Sequence, residues 1–243
     1  LLPRIKDHLV LSDTALGLIG GAAFTIFYAV AALPIGLAVD RLERRLVLAA
    51  GLVVWSASTF LSGAAPAFPQ IFAARAMTGS GEATAHPAGV SLISDLFPAR
   101  RRAVAIAVFQ AGVAIGGGLG VLVGGHVAGR FDWRVTLMIF SFAGAIVVPL
   151  VMLLPEPRRA AAAGVAAHAG PGWSRTVRRL LGVPTLAFHY AATVFVMFAL
   201  QGYAVWMPSF LERERGFDRT DVTNLAGMAT LVGGVVGGLI GGI

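Results

Sequence analysis

The sequence predicts an all-α, polytopic membrane protein, and three observations carry that prediction. Hydrophobic residues make up 57% of the chain and charged residues only 13%, against roughly a quarter charged in an ordinary soluble domain. Long uncharged apolar runs recur along it, each of a length that crosses a bilayer. The basic residues behind the net charge of +7 sit in short clusters between those runs instead of along one stripe. This spacing speaks for membrane loops and against nucleic acid as a partner.

A spanning helix needs about 20 apolar residues at 1.5 Å each, because backbone exposed to lipid must satisfy its own hydrogen bonds. Charge-free stretches run over 14–39, 46–74, 103–129, 135–155, 180–211 and 222–243, and each holds one span. A further apolar segment, 69–94, is interrupted by Arg75 and Glu82 and brings the expected number of spans to seven. Many of the 31 glycines lie inside these runs. There they would weaken a soluble helix, but in a bilayer they let neighbouring helices approach.

Orientation follows from the loops, since short cytoplasmic loops are enriched in Lys and Arg. One alternating set carries Arg41, Arg44, Arg45, Arg100, Arg101, Arg102, Arg158, Arg159, Arg175, Arg178 and Arg179. The other carries Arg4, Lys6, Arg130, Arg134, Arg213, Arg215 and Arg219. Eleven against seven places the first set in the cytoplasm, and the uncharged turn at 65–70 on the opposite side agrees. The Ala-rich stretch 156–179, with Gly170-Pro171-Gly172, reads as a cytoplasmic linker between a first bundle, 1–155, and the start of a second, 180–243. A weak echo between the halves fits: Ser12-Asp13 precedes the first span and Thr220-Asp221 the last. The first residues, Leu1-Leu2-Pro3-Arg4, show neither an initiator Met nor a signal-peptide pattern, and the last run stops at Ile243 inside a glycine repeat. A fragment of a longer chain is therefore expected.

At the cytoplasmic turn after the first span stands Gly36-Leu37-Ala38-Val39-Asp40-Arg41-Leu42-Glu43-Arg44-Arg45. Asp40 is placed to cap a helix end or pair with a basic group, and the arginines to anchor the turn at anionic headgroups. Gly36, Asp40, Arg41, Arg44 and Arg45 resemble the loop signature of the major facilitator transporters, with Glu43 where that family usually has glycine. The resemblance implies the major facilitator fold, twelve helices in two six-helix bundles when intact. It also implies that this turn helps latch a cytoplasmic gate. In family order the spans here are helices two to eight, with helix one preceding Leu1.

The interrupted span reads Arg75-Ala76-Met77-Thr78-Gly79-Ser80-Gly81-Glu82-Ala83 and continues to His86-Pro87 and Ser94-Asp95-Leu96-Phe97-Pro98. Seven residues are two helical turns, so Arg75, Gly79, Glu82 and His86 share one face as a polar ribbon. A charge at that depth costs at least about 2.5 kcal/mol on insertion scales and therefore belongs against a cavity or partner. The stretch resembles the fourth family helix, and its Gly-Glu-Ala and Ser-Asp-Leu-Phe-Pro elements are similar to bacterial relatives of the spinster lysolipid transporters. Pro87, five residues after Glu82, is also reminiscent of organic-anion proton symporters. Both resemblances imply substrate or proton binding at Arg75 and Glu82. His86 and Gln110, a polar residue on the next span, are further candidates for the cavity lining.

That next span carries Gly112, Gly116, Gly120 and Gly124, every fourth residue, which reads as a smooth face for helix packing. Gly117 stands where the family's antiporter motif has proline, so antiport is not implied.

The function expected is a secondary active transporter moving a small organic or amphipathic anion by alternating access with proton coupling. A drug- or sugar-type efflux or uptake transporter of the same fold is the alternative. A channel needs a continuous polar lining, whereas only one span is strongly polar. An enzyme needs a nucleophile, metal or cofactor constellation. There is no cysteine, and His8, His86, His126, His168 and His189 lack ligand spacing. The partners expected are a small-molecule substrate, protons and the lipid bilayer, with no nucleic acid, metal or cofactor. A monomer in the cell (inner or plasma) membrane is expected.

Overall fold

The structure is a computed structural model that describes residues 1–156, 178, 180 and 182–241, and all regular structure among them is helical. In chain order the elements are α1 (Leu2–Leu9), α2 (Asp13–Gly17), a π-helical turn (Leu18–Ala22), α3 (Ala23–Arg41), α4 (Arg44–Ala64), α5 (Phe68–Glu82), α6 (Ala85–Leu96), α7 (Ala99–Arg130), α8 (Trp133–Ser141), α9 (Ala143–Met152), α10 (Pro184–Arg215) and α11 (Arg219–Gly241). Among the described residues, five continuous helical stretches are long and apolar enough to cross a membrane: Asp13–Arg41, Arg44–Ala64, Ala99–Arg130, Trp133–Met152 and Pro184–Arg215. The other two expected spans are the broken pair α5–α6 and α11. Most of the expected linker lies outside the described residues.

Contacts divide the chain into two compact units. One contains the described residues up to 156 together with those from Pro208 onward; the other contains the described residues between, ending at Met207. In the first unit α4 packs against α5, α8 and α9, α3 packs against α5, and α11 runs along α7. Small residues set these approaches. A Cβ on Gly79 would collide with the Phe24 carbonyl oxygen, and one on Gly81 would lie 2.7 Å from the Trp55 nitrogen and 2.8 Å from the Gly51 oxygen. Between α4 and α5 the buried Ser58 and Thr78 hydroxyls share a hydrogen bond of 3.0 Å. Such small polar pairs suit helices that associate without a hydrophobic driving force between them.

The break between α5 and α6 has a local cause. Pro87 donates no N–H to the residue four before it, Ala83, and its ring crowds that carbonyl. The helix opens at Ala83 and Thr84, where Thr84 Oγ1 donates to the Gly81 carbonyl at 2.8 Å.

Two apolar cores brace the ends of this unit. Ile5, Leu16, Ile19, Ala65, Ile71 and Trp133 cluster at one end, and Val39, Val47 and Ala88 at the other. At the first end Arg134 Nη1 donates to the Gly63 carbonyl (3.0 Å) and the Ala65 carbonyl, capping the C-terminal end of α4 where carbonyls lack helical partners. Asp218, just before α11, accepts the Thr220 backbone N–H at 2.9 Å. That bond holds its carboxyl below the usual carboxylate range. On the second unit, Phe188, Phe195 and Phe198 are exposed along α10, a surface suited to hydrocarbon and not to water.

Candidate functional site

Arg75 is half-buried on α5, and its surroundings are set by α3 and the π-helical turn before it. In that turn Ala23 returns its N–H to the Leu18 carbonyl, five residues back, instead of to Ile19. The Ile19 carbonyl accepts instead from Arg75 Nε at 3.2 Å. Insertions of this kind gather at functional positions because they free one backbone group. The guanidinium also lies over the Phe24 ring, 5.3 Å from its centroid.

Arg75 lines a cavity of about 210 Å³ whose other walls are largely apolar, including Leu1, Leu2, Ile5, Ile19, Ile71 and Leu137. Thr59 and Ser62 add two hydroxyls, but both donate to their own helix, to the Trp55 and Ser58 carbonyls at 2.8 and 2.9 Å. Arg75 is therefore the cavity's cationic group. An anionic head with an apolar body matches such a lining.

Glu82 sits at the last residue of α5, two turns beyond Arg75, half-buried and without a hydrogen bond among the described residues. On α3 the Phe24 ring under Arg75 packs against Tyr28, with ring centroids 5.8 Å apart. The polar ribbon read from the sequence is thus not one open strip. Gly79, between the two charges, is buried against the Phe24 carbonyl. His86 lies past the helix break, exposed, with its ring edge-on to Phe109 of α7 at 6.3 Å. Gln110 is exposed on α7 and has no hydrogen bond among the described residues.

The turn between α3 and α4 is built from more distant parts of the chain. Arg44 is buried, and its Nη1 pairs with Asp95 at the end of α6. The Arg44 and Arg45 backbone N–H groups donate to the two carboxylate oxygens of Glu156 at 3.2 and 3.1 Å. Glu156 so caps the N-terminus of α4, where free N–H groups and the helix dipole favour an anion. Arg45 pairs with Glu43 at 3.0 Å. Glu43 has φ −64 and ψ 122, an extended backbone open to any residue, so this turn does not require glycine there. Gly36 meets open space, while Asp40 and Arg41 are exposed and make no ion pair among the described residues.

Asp95 and Glu156 were not among the expected site residues, and neither were Tyr28 and the Ile19 carbonyl. The available signal for Asp95 was a carboxylate at the end of a span, close in sequence to a basic turn. Replacing Asp95 by Asn strands the Arg44 guanidinium, which is only 7% exposed. A loss of about 1–3 kcal/mol is expected, read as a lower melting temperature of the purified protein. Combining Asp95→Asn with Arg44→Met removes the stranded charge and should restore part of that loss.

The glycine run on α7 packs in a different register from the one expected. Gly112, Gly116 and Gly120 meet nothing within 4 Å, and Gly124 faces the Phe140 ring of α8. The close approach to α11 passes through Gly118, against Leu231, and Gly125, against Thr223, with Gly227 of α11 against Leu122 in return.

A family model described as Major Facilitator Superfamily matches residues 1–243. The chain belongs to that superfamily. It is 32% identical over 240 residues to an MFS-type efflux pump of Mycolicibacterium smegmatis, covering 98% of this chain and 55% of that one. It is 32% identical over 215 residues to the sphingosine-1-phosphate transporter SPNS2 of Xenopus tropicalis, covering 86% and 41%. Its fold matches the crystal structure of a bacterial homolog to the human lysosomal transporter Spinster, in an inward-facing and occupied conformation. That match has a TM-score of 0.79 at 26% identity and covers 95% of this chain and 53% of that one. The chain thus spans about half the length of these relatives. Its spinster-like character and its multi-pass membrane embedding follow from the same matches, as the motifs around Glu82 and Asp95 had implied.

Proposed function

We propose that the intact protein is a secondary active transporter that moves an amphipathic organic anion by alternating access. In this reading Arg75 is the anion partner and Glu82 the proton-coupling carboxylate. The observation that carries the proposal is the lone Arg75 guanidinium in an otherwise largely apolar cavity, with Glu82 two turns away on the same helix, which packs on α3. A phosphate-headed lipid is the substrate of one relative, and that chemistry suits a cationic point on an apolar wall. The twelve-helix, two-bundle organisation, the monomeric state and a place in the cell membrane belong to the same reading. Asp40 and Arg41, left without partners among the described residues, are the part of the turn available to act on the cytoplasmic gate. The mycobacterial relative is an efflux pump by name, which favours a second reading, the efflux branch of a drug- or sugar-type transporter of the same fold.

Counterflow in proteoliposomes containing the intact protein tests the proposal. Saturable exchange of an anionic single-chain lysolipid, without ionic current and without competition from an uncharged analogue of the same chain length, is the expected result. Ionic current would mean a channel, and equal competition by the uncharged analogue would favour the efflux reading.

A further inference from the structure

The positive-inside rule makes basic residues sparse on the side of the membrane away from the cytoplasm, yet three of the seven basic residues assigned there converge on one cavity. It has a volume of about 230 Å³ and is lined by Arg4 of α1, His126 and Arg130 of α7, and Arg219, Thr220 and Thr223 at the start of α11, with Gly125 and Gly129 completing the lining. Among the described residues no carboxylate lines it.

Only one of the three guanidiniums is neutralised. Arg219 pairs with Asp7 at 2.7 Å and with Glu212 at 3.3 Å. Arg4 and Arg130 make no hydrogen bond or ion pair among the described residues. Arg4 is half-buried, and its Nη2 lies 3.8 Å from where a Cβ on Gly129 would sit. The neighbouring cations behave differently: Lys6 is paired with Asp13 at 2.6 Å, and Arg213 with the same carboxylate at 3.0 Å. Unpaired like charges gathered in one cavity repel each other unless an anion joins them. Arg130 also complements the C-terminal dipole of α7, but Arg4 has no such role in its own helix.

The remaining lining points to the same ligand chemistry. The Thr220 and Thr223 side chains add hydroxyl groups beside the guanidiniums, while the backbone at the start of α11 is already capped by Asp218. The planar guanidinium fork fits a tetrahedral oxyanion in bidentate fashion. The volume is below that of a drug-sized site and suits a small headgroup.

We propose that this cavity at the meeting of α1, α7 and α11 is a second anion site, separate from the Arg75 cavity, which takes a phosphate-class oxyanion. The chemistry is shared by inorganic phosphate and by the headgroup of an anionic phospholipid, and the test has an arm for each. The intact transporter is purified and its binding of inorganic phosphate measured by calorimetry. In parallel, native mass spectrometry counts phosphatidylglycerol retained from mixed phosphatidylglycerol–phosphatidylcholine nanodiscs. The expected result is binding of at least one probe to the wild type. Arg4→Gln combined with Arg130→Gln should weaken that binding at least about tenfold, as loss of charge-assisted hydrogen bonds requires. Arg4→Lys with Arg130→Lys, which keeps the charge, should retain most of it.

Binding of phosphate alone identifies a soluble anion, and retention of phosphatidylglycerol alone identifies a lipid headgroup. A wild type that binds neither probe, or a double glutamine variant that binds whichever probe the wild type binds with unchanged affinity, overturns the proposal. Lysolipid counterflow reads the Arg75 cavity, and the difference in probe binding between the glutamine and lysine pairs at Arg4 and Arg130 reads this one, so failure of the transport reading and failure of this one are separable.

Discussion

Glu82→Gln is expected to abolish accumulation of substrate driven by a pH gradient while preserving substrate exchange, and Arg75→Ala to weaken substrate binding itself by about 10- to 100-fold. The second figure follows from losing a charge-assisted interaction of about 1.5–3 kcal/mol. The first follows from the distance between the groups. Two helical turns separate Arg75 from Glu82 by roughly 10 Å, and at an effective dielectric near 20 their attraction is about 1.7 kcal/mol. That is a moderate hold on the charged carboxylate, of a size that a change in hydration between inward-open and outward-open states overcomes. In the proposed mechanism an anion at Arg75 offsets the same attraction and strengthens the affinity of Glu82 for a proton, which is how the proposal couples substrate to proton. Transport by proteoliposomes of each variant, with and without an imposed pH gradient, separates the two roles. Accumulation by Glu82→Gln with unchanged pH dependence would remove Glu82 from the coupling step. Unaltered substrate affinity in Arg75→Ala would remove Arg75 from the site.

Much of this arrangement was legible in the sequence because the bilayer imposes simple rules. Span lengths follow from hydrocarbon thickness, and two charges within one apolar run stand out because each is costly there. What stayed hidden depends on backbone geometry or on distance along the chain. Periodicity does not distinguish the π-helical turn at Leu18–Ala22 from an ordinary α-helix, so the freed Ile19 carbonyl that holds Arg75 had no signature beyond a Gly20-Gly21 pair. Asp95 and Glu156 stand 51 and 112 residues from the Arg44 they serve, and no local pattern links them. The glycine run of α7 offers two interleaved small faces. The sequence marks both, and only the packing of α11 on Gly118 and Gly125 selects one. The break at Ala83 was within reach, since Pro87 dictates it four residues back.

Gly79→Ala is expected to be disruptive out of proportion to one methyl group. Gly79 lies between Arg75 and Glu82 on the face of α5 that meets α3, and the new Cβ would overlap the Phe24 carbonyl oxygen. The atom it strikes is backbone, not the far end of a flexible side chain, so relief requires α3 and α5 to separate. Overpacking of this kind costs about 1–3 kcal/mol, and the roughly 1 kcal/mol that alanine gains over glycine in a helix does not cancel a displaced backbone. The separation also acts on the site, because the same segment of α3 carries the Phe24 ring under Arg75, and the preceding turn carries the Ile19 carbonyl. Gly79→Ala should therefore lower the melting temperature of the purified protein and also weaken substrate binding. Gly112→Ala is the matched control, since its Cβ meets nothing within 4 Å and the gain in helix propensity should leave stability unchanged or slightly raised. If the two variants melt alike, α3 and α5 are not in the close contact described, and the positioning of Arg75 by α3 falls with it.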